Sequence, residues 1–199
     1  MMKKYAFLDM EGVLYPELWE IYAEKLGLPQ LAKTTRQEPD FSKLMEERIS
    51  LLAQNGIRLA HLSAYSDEVR LLEGAADFVA QLKRKGFEIH VVTDAFAEII
   101  GTALEPLAVE AVHTNYFECN ADGLIRKAVY THTQGKHEVL AKIVKKGDFC
   151  IAVGDTFNDF SMLQYADKGF LFRPSAEAGK HVPDGITVTK HYSEILAVV

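Results

Sequence analysis

Acidic side chains follow two of the apolar runs in this sequence. Asp9 and Glu11 come directly after the first run, and a glycine follows them. Asp155 and Asp159 follow a later run. One carboxylate of such a set can attack an electrophile while another transfers protons. Four acidic groups at one edge of a sheet would repel one another without a cation, and oxygen-only ligands favour Mg²⁺.

A hydroxyl group and a cation accompany these carboxylates. Thr93 and Asp94 end another apolar run, and Lys136 lies where a helix is predicted to begin. A hydroxyl beside the N–H groups of a helix start suits a phosphate, and a lysine can neutralise phosphoryl charge. Because phosphoryl transfer depends mainly on positioning and electrostatic stabilisation, these side chains indicate that kind of chemistry.

Short apolar runs alternate with helical patterns along the chain. The runs cover residues 5–8, 87–92, 149–153, 169–172 and 186–188. Helical spacing predicts a helix over residues 74–85, and turn residues at 120–123 predict a hairpin between residues 116 and 130. This alternation is typical of an α/β fold with a doubly wound parallel sheet, which binds ligands at the carboxyl ends of its strands.

Residues 15–72 interrupt the alternation and contain no convincing strand. Helices are predicted over residues 17–26 and 61–72, and between them apolar residues recur at helical spacing from Phe41 to Leu52. We therefore expect an α/β core formed by residues 1–14 and 73–199, with a small helical cap, residues 15–72, inserted after the first strand.

Arg48 lies inside the apolar stripe of the predicted cap. A buried guanidinium needs an anionic partner, and its forked donors suit a carboxylate. The alternative is that Arg48 reaches water or pairs within the cap. Alternatives remain for other residues too: Asp155 and Asp159 could serve only as helix-capping residues, and Lys136 could be solvated at a helix start.

Composition limits the classes of partner. The 199 residues carry a formal net charge of −6, which argues against a general nucleic-acid-binding protein. No apolar stretch reaches the roughly 18 residues needed to span a membrane, and the N-terminus does not resemble a signal peptide. Cys119 and Cys150 have no metal-type spacing and are expected to be reduced. We expect a cytoplasmic protein, monomeric or homodimeric, without nucleic-acid or membrane partners.

Four motifs in the predicted core resemble those of the haloacid-dehalogenase superfamily of phosphatases. They are Asp-Met-Glu-Gly-Val-Leu from Asp9, then Thr93, then Lys136, and Gly-Asp-Thr-Phe-Asn-Asp from Gly154. The predicted cap is similar to that of the phosphoserine phosphatase branch. The stretch from Asp9 to Trp19 looks closer still to a bifunctional phosphoserine phosphatase and homoserine phosphotransferase.

The resemblance implies a role for each matching residue. The catalytic residues it implies are the nucleophile Asp9, the general acid and base Glu11, the phosphoryl-binding Thr93 and the charge-stabilising Lys136. The metal ligands it implies are Asp9, the backbone carbonyl of Glu11, Asp155 and Asp159. The substrate-binding residues it implies are Glu17 for an amino group, Phe41 as a shield, Arg48 for a carboxylate, and Thr93, Lys136 and Asn158 around the phosphoryl group. Asp94, which follows Thr93, is also expected among the substrate-binding residues.

Two residues depart from the family pattern. Glu11 stands where aspartate is usual, and Asp94 stands where phosphoserine phosphatases commonly have glycine. The expected activity is Mg²⁺-dependent transfer from a small phosphorylated substrate, phosphoserine, to water or homoserine. The alternatives are a phosphatase of another small phosphomonoester and a catalytically silent binding module; halide removal is disfavoured, because it does not need the proton donor that Glu11 supplies.

Overall fold

The computed structural model describes residues 2–35, 37–38, 40–100 and 102–199. Its strands are β1 (Lys4–Leu8), β2 (Phe87–Phe96), β3 (Ala111–Cys119), β4 (Ile125–Val129), β5 (Phe149–Gly154), β6 (Lys168–Phe172) and β7 (Ile186–Thr189). Its helices are α1 (Leu18–Leu26), α2 (Phe41–Gln54), α3 (Leu59–Ser66), α4 (Ala75–Arg84), α5 (Ala97–Ile100), α6 (His137–Ile143), α7 (Phe160–Tyr165) and α8 (Tyr192–Leu196). Short 3₁₀ turns lie at Pro29–Ala32, Glu105–Leu107, Phe157–Asp159 and Ala178–Lys180.

The seven strands form one sheet in the order β4-β3-β2-β1-β5-β6-β7. All neighbouring pairs are parallel except β3 and β4, which form an antiparallel hairpin at one edge. The central strand β1 pairs Leu8 with Val91 on one side and with Val153 on the other. The residues that follow these three positions therefore emerge at the same edge of the sheet.

Apolar layers cover both faces of the sheet. On one face α4 and α8 pack against alternate residues of β1 and β2. On the other face α6 and α7 pack against the intervening residues, including Tyr5, Phe7 and Val92. This arrangement confirms the predicted α/β class with a doubly wound, mostly parallel sheet, and it explains why the central strands are continuous apolar runs.

Three helices lie between β1 and α4, where the sequence predicts helices and no strand. The prediction for residues 17–26 agrees with α1, and the apolar stripe lies on α2, whose first turn is capped by the Asp40 side chain accepting from the Lys43 N–H at 3.1 Å. Among the described residues, no helix is long and apolar enough to cross a membrane.

The predicted helix over residues 61–72 is wrong at its C-terminal end, because α3 stops at Ser66. The segment that follows is held by the core instead. The Tyr15 hydroxyl donates to the Val69 carbonyl at 2.8 Å, and the Leu72 N–H donates to the Leu14 carbonyl at 2.9 Å. These contacts return the chain to the sheet.

Candidate active site

Three aspartates converge at the carboxyl ends of β1 and β5. Asp9, Asp155 and Asp159 each offer an oxygen atom, and these atoms lie within 4.8 Å of one another. Asp9 and Asp159 are buried, and Asp155 is half-buried. The parallel pairing of β1 with β5 produces this arrangement, because the Asp9 N–H continues the ladder by donating to the Val153 carbonyl at 2.9 Å.

Two glycines make room for the aspartates. A Cβ atom on Gly12 would lie 2.3 Å from the Asp155 carboxylate, and one on Gly154 would lie 2.3 Å from Asp159. Gly12 also has a φ of +74°, a left-handed conformation that side chains with a Cβ rarely adopt. The close approach of these carboxylates therefore depends on glycine at both positions.

Lys136 bridges the aspartates from one side. Its buried Nζ lies 2.8 Å from Asp9 Oδ1 and 2.7 Å from Asp159 Oδ1. Burial alone lowers the pKa of a lysine, but Asp159, Asp9 and Asp94 outweigh it and raise the Lys136 pKa well above its ordinary value. Lys136 is therefore not the solvated lysine of the alternative interpretation.

Asp159 combines two functions that the sequence leaves as alternatives. Its Oδ2 accepts from the Asp155 and Thr156 N–H groups, at 2.9 and 3.0 Å, as a capping residue does. Its Oδ1 accepts from Lys136 at 2.7 Å and belongs to the aspartate cluster. Capping thus fixes the carboxylate in the orientation that the cluster requires.

The aspartate cluster holds excess negative charge in a buried place. Burial, followed by repulsion from Asp159, raises the pKa of Asp9 well above its ordinary value and that of Asp155 to about 8. A divalent cation among these oxygens would offset the repulsion between the buried carboxylates and favour their ionised form. The ligands are all oxygen atoms, which suits Mg²⁺ better than a soft metal ion, so these residues fit such a cation.

Glu11 lies beside the start of α1. Its Oε1 accepts from the Leu18 N–H at 2.8 Å. Burial, followed by repulsion from Glu17, raises the pKa of Glu11 to about 8. A carboxyl group of this kind carries a proton at neutral pH, as a general acid must.

Thr93 and Asp94 lie where β2 passes the aspartates. Thr93 is buried, and its Oγ1 accepts from the Ala95 N–H at 3.1 Å. Asp94 accepts from His132 Nε2 at 3.1 Å and from Asn158 Nδ2 at 3.3 Å. Burial raises the pKa of Asp94, but Lys136 and His132 outweigh it and lower that pKa. No role could be predicted for His132 from the sequence, because its partner Asp94 lies on a distant strand, β2.

A cavity of about 350 Å³ connects these groups with the helices that precede α4. Ten of the eleven predicted site residues line it, and Asp159 lies buried behind the others. They are Asp9, Glu11, Glu17, Phe41, Arg48, Thr93, Asp94, Lys136, Asp155 and Asn158. Phe41 also contacts the Tyr130 ring, with the ring centroids 5.8 Å apart.

Arg48 reaches the cavity from α2. It donates to the Leu31 and Lys33 carbonyls, at 3.2 and 2.7 Å, and lies 4.3 Å above the Trp19 ring. Burial lowers the pKa of Arg48 to about 10, although the charges of Glu11 and Glu17 oppose the shift. Trp19 therefore supports this guanidinium and lines the cavity.

The fold and the site together define an α/β enzyme whose carboxylates lie at the strand ends, and comparison with known proteins gives its family. The family model of the haloacid dehalogenase-like hydrolases matches residues 3–167, so the chain belongs to this family. A phosphoserine phosphatase of Pseudomonas syringae pv. tomato is 32% identical over 181 residues, covering 91% of this chain and 73% of the relative. The phosphoserine phosphatase ThrH of Pseudomonas aeruginosa is 32% identical over 183 residues, covering 91% and 84%.

Solved structures show the same fold. A phosphoserine phosphatase carrying an analogue of the phospho-aspartyl intermediate has a TM-score of 0.83 with this chain and is 22% identical, with 100% of both chains covered. A substrate-bound phosphoserine phosphatase has a TM-score of 0.82 at 22% identity, covering 100% of this chain and 99% of the other.

Proposed function

We propose that this protein is a Mg²⁺-dependent phosphoserine phosphatase that works through an aspartyl-phosphate on Asp9, with phosphoryl transfer to homoserine as a second reaction. The observation that carries the proposal is the position of Asp9. Its carboxylate lies beside Lys136, within a cluster suited to a divalent cation and on the wall of a cavity that also contains Glu11, a carboxyl group with a raised pKa.

The first step breaks the phosphoester bond. Asp9 attacks phosphorus, the P–O bond to the serine oxygen breaks, and a P–O bond to Asp9 forms. Thr93, Lys136 and Asn158 bind the phosphoryl oxygens, and Mg²⁺, when bound, would neutralise part of the charge on those oxygens. Asp155 and Asp159 would hold the cation together with Asp9, since these residues form the oxygen cluster.

Glu11 transfers protons in both steps. The Glu11 carboxyl group, whose pKa is raised to about 8, supplies a proton to the departing serine oxygen at neutral pH. The resulting carboxylate takes a proton from water or an alcohol as that acceptor attacks the aspartyl-phosphate, and Asp9 is regenerated. The longer side chain of Glu11, compared with the usual aspartate, moves the base by one methylene and would favour an alcohol acceptor over water.

The cap side of the cavity supports an amino-acid substrate. Arg48 presents a buried guanidinium to a carboxylate, and Glu17, at the N-terminus of α1, presents a carboxylate to an amino group. The names of the relatives favour the same substrate, since two of them, from Pseudomonas species, are phosphoserine phosphatases. Phe41 and α2 cover the site and would limit access of water.

The direct test is a phosphate-release assay with and without Mg²⁺. The substrates are phosphoserine, phosphothreonine, a sugar phosphate, a nucleotide and an aryl phosphate, each measured with and without homoserine. We expect phosphoserine to have the highest kcat/KM, and phosphohomoserine to form when homoserine is present.

The Asp9→Asn variant is the control for the mechanism. It is expected to lose at least about 10³-fold in kcat, because an amide cannot form the covalent intermediate. A higher kcat/KM for a sugar or nucleotide phosphate would replace the proposed substrate. Wild-type turnover by Asp9→Asn would overturn the mechanism, and absence of turnover on every substrate would favour a silent binding module.

A further inference from the structure

Asp94 lies close to the Lys136 ammonium group without a hydrogen bond to it. Lys136 Nζ is 2.8 Å from Asp9 and 2.7 Å from Asp159, but 3.8 Å from Asp94 Oδ2. An ammonium group has three N–H donors. Two are directed to Asp9 and Asp159, so the third remains available as long as Asp94 stays at this distance.

Two donors hold Asp94 in its position. His132 Nε2 lies 3.1 Å from Asp94 Oδ1, and Asn158 Nδ2 lies 3.3 Å from Oδ2. The His132 side chain is buried, with 3% of its surface exposed, whereas Asn158 is exposed. Because the His132 contact is shorter and better shielded from water, it is the stronger restraint on the carboxylate.

The backbone around this contact is fixed by a bridging amide. Asn115 donates from Nδ2 to the Asp94 carbonyl at 3.0 Å, and its Oδ1 accepts from the Thr131 N–H at 3.0 Å. Asn115 is buried on β3. It therefore ties the end of β2 to the segment that carries His132, and it sets the distance over which His132 reaches Asp94.

The hydrogen-bond partners of His132 set the direction of its contact with Asp94. Thr131 Oγ1 lies 2.8 Å from the Thr114 carbonyl and 3.0 Å from His132 Nδ1. Its single hydrogen goes to the carbonyl, which only accepts, so Oγ1 accepts from Nδ1. The Asp94 carboxylate also accepts, so Nε2 donates there. His132 Nε2 therefore supplies the donor that holds the Asp94 carboxylate.

We propose that His132 is a positioning residue that holds the Asp94 carboxylate away from Lys136 and keeps the third N–H of Lys136 available for a phosphoryl oxygen. The role of this N–H rests on the proposed function. In the family pattern glycine is common at the position of Asp94, so the chain combines an additional carboxylate near the phosphate with a histidine that restrains it.

The His132→Phe variant tests this role, because phenylalanine keeps the ring but removes both donors. We expect Asp94 to move onto Lys136 in the enzyme without substrate. Substrate must then displace it, so the KM for phosphoserine rises roughly tenfold or more while kcat changes less than about twofold. His132→Gln retains an amide donor near the position of Nε2 and is expected to restore most of the affinity.

The Asp94→Ala background separates this effect from damage to the fold. Without the carboxylate, His132→Phe should change the KM by less than about twofold. An equal rise in KM with and without Asp94 would overturn the proposal, because the effect would then not pass through that side chain. Loss of kcat at unchanged KM would also overturn it, since that result indicates that a smaller fraction of the protein molecules is folded and active.

A crystal structure of metal-free His132→Phe decides the question without any turnover. We expect an Asp94 oxygen at hydrogen-bond distance, about 3 Å, from Lys136 Nζ. An Asp94 carboxylate that keeps its 3.8 Å separation would overturn the proposal. If the wild-type protein hydrolysed none of the phosphomonoesters, the proposed function would fail, whereas this distance would still test the restraint on Asp94.

Discussion

Three carboxyl groups of the cavity, on Glu11, Asp94 and Asp155, have pKa values set by their surroundings rather than by their residue type. Burial raises the pKa of Glu11 and of Asp155 to about 8. Asp94 lies half-buried in the same cavity, yet Lys136 and His132 outweigh the effect of burial and lower its pKa. One cavity therefore contains a proton donor, a carboxylate that favours a cation and a carboxylate that stays ionised.

Arg48 permits a test of substrate identity at this scale. Arg48→Ala is expected to lower kcat/KM for phosphoserine by roughly 10- to 100-fold, because a charge-assisted bidentate contact to the substrate carboxylate is lost. An aryl phosphate without a carboxylate should lose less than about threefold. Steady-state kinetics on both substrates measures the ratio.

Two variants serve as controls for Arg48. Arg48→Lys keeps the charge but loses the fork, so we expect an intermediate effect on phosphoserine. Arg84, an exposed residue of α4 paired with Asp77 at 3.7 Å, should be replaceable by alanine without effect on either substrate. If Arg48→Ala reduced both activities equally, the guanidinium would act on the structure of the cap rather than on the carboxylate.

Site residues that directly follow strands are easier to identify from the sequence than site residues that contact one another across the fold. Asp9 and Asp155 could be predicted because the ends of parallel strands share one edge, whatever the details of packing. The contact between Asp94 and His132 joins positions 38 residues apart through the β3–β4 hairpin. Neither residue type nor spacing encodes such a distance, so His132 was missed.

At the scale of elements, β2 and β3 carry a histidine pair, in which His90 is buried and His113 is half-buried. His90 Nδ1 and His113 Nε2 lie 3.2 Å apart, and the rings stack with 5.5 Å between their centroids. One nitrogen must accept if the other donates, so the contact requires at least one neutral ring. Burial, followed by the charge of His90, lowers the pKa of His113 to about 4.

This pair predicts a pH dependence of stability. In the unfolded chain His113 has the ordinary histidine pKa of about 6.5. Between that value and about 4, the unfolded state binds the proton and the folded state does not, so stability falls as pH falls through this window. Above the window the group makes no pH-dependent contribution. Denaturant unfolding at pH 7, 6 and 5 should show a shallower loss for His113→Gln than for the wild type.

The exposed residue His181 is the matched control for this experiment. His181→Gln should leave the slope of stability against pH unchanged. Identical slopes for His113→Gln and the wild type would show that the pair is accommodated by local opening of β3 rather than by titration of the folded state.

Element boundaries depend on contacts that local sequence does not contain. The predicted hairpin is confirmed, since Asn120 Oδ1 accepts from the Asp122 and Leu124 N–H groups in the turn between β3 and β4. The sequence did not predict that β3 begins at Ala111 and pairs with β2. Nor does a glycine or proline mark the end of α3; long-range hydrogen bonds from Tyr15 and Leu72 do so.

At the scale of the whole molecule, the sheet gathers negative charge at one edge. The chain carries a formal net charge of −6, and the carboxylates of Asp9, Asp155 and Asp159 converge within 4.8 Å. Apolar layers on both faces of the sheet hold the strands that carry them. The stability of the whole fold should therefore depend on what balances the charge of this one cluster.

A divalent cation is expected to stabilise the folded protein, because the unfolded chain does not preserve the cluster. At a Mg²⁺ concentration about 100 times Kd, linkage gives roughly 2.7 kcal/mol of stabilisation and a rise in Tm of about 5–10 °C.

Asp155→Asn should abolish most of this rise in Tm. Without Mg²⁺ the variant should be at least as stable as the wild type. Burial and repulsion from Asp159 disfavour a charge at this position and raise the pKa of Asp155 to about 8, and a neutral amide carries no such charge. Asp122→Asn, an equal change of charge in an exposed turn, should keep the full Mg²⁺ response. Thermal unfolding with and without Mg²⁺ measures all three proteins, and an Asp155→Asn protein with the wild-type response would place the cation elsewhere.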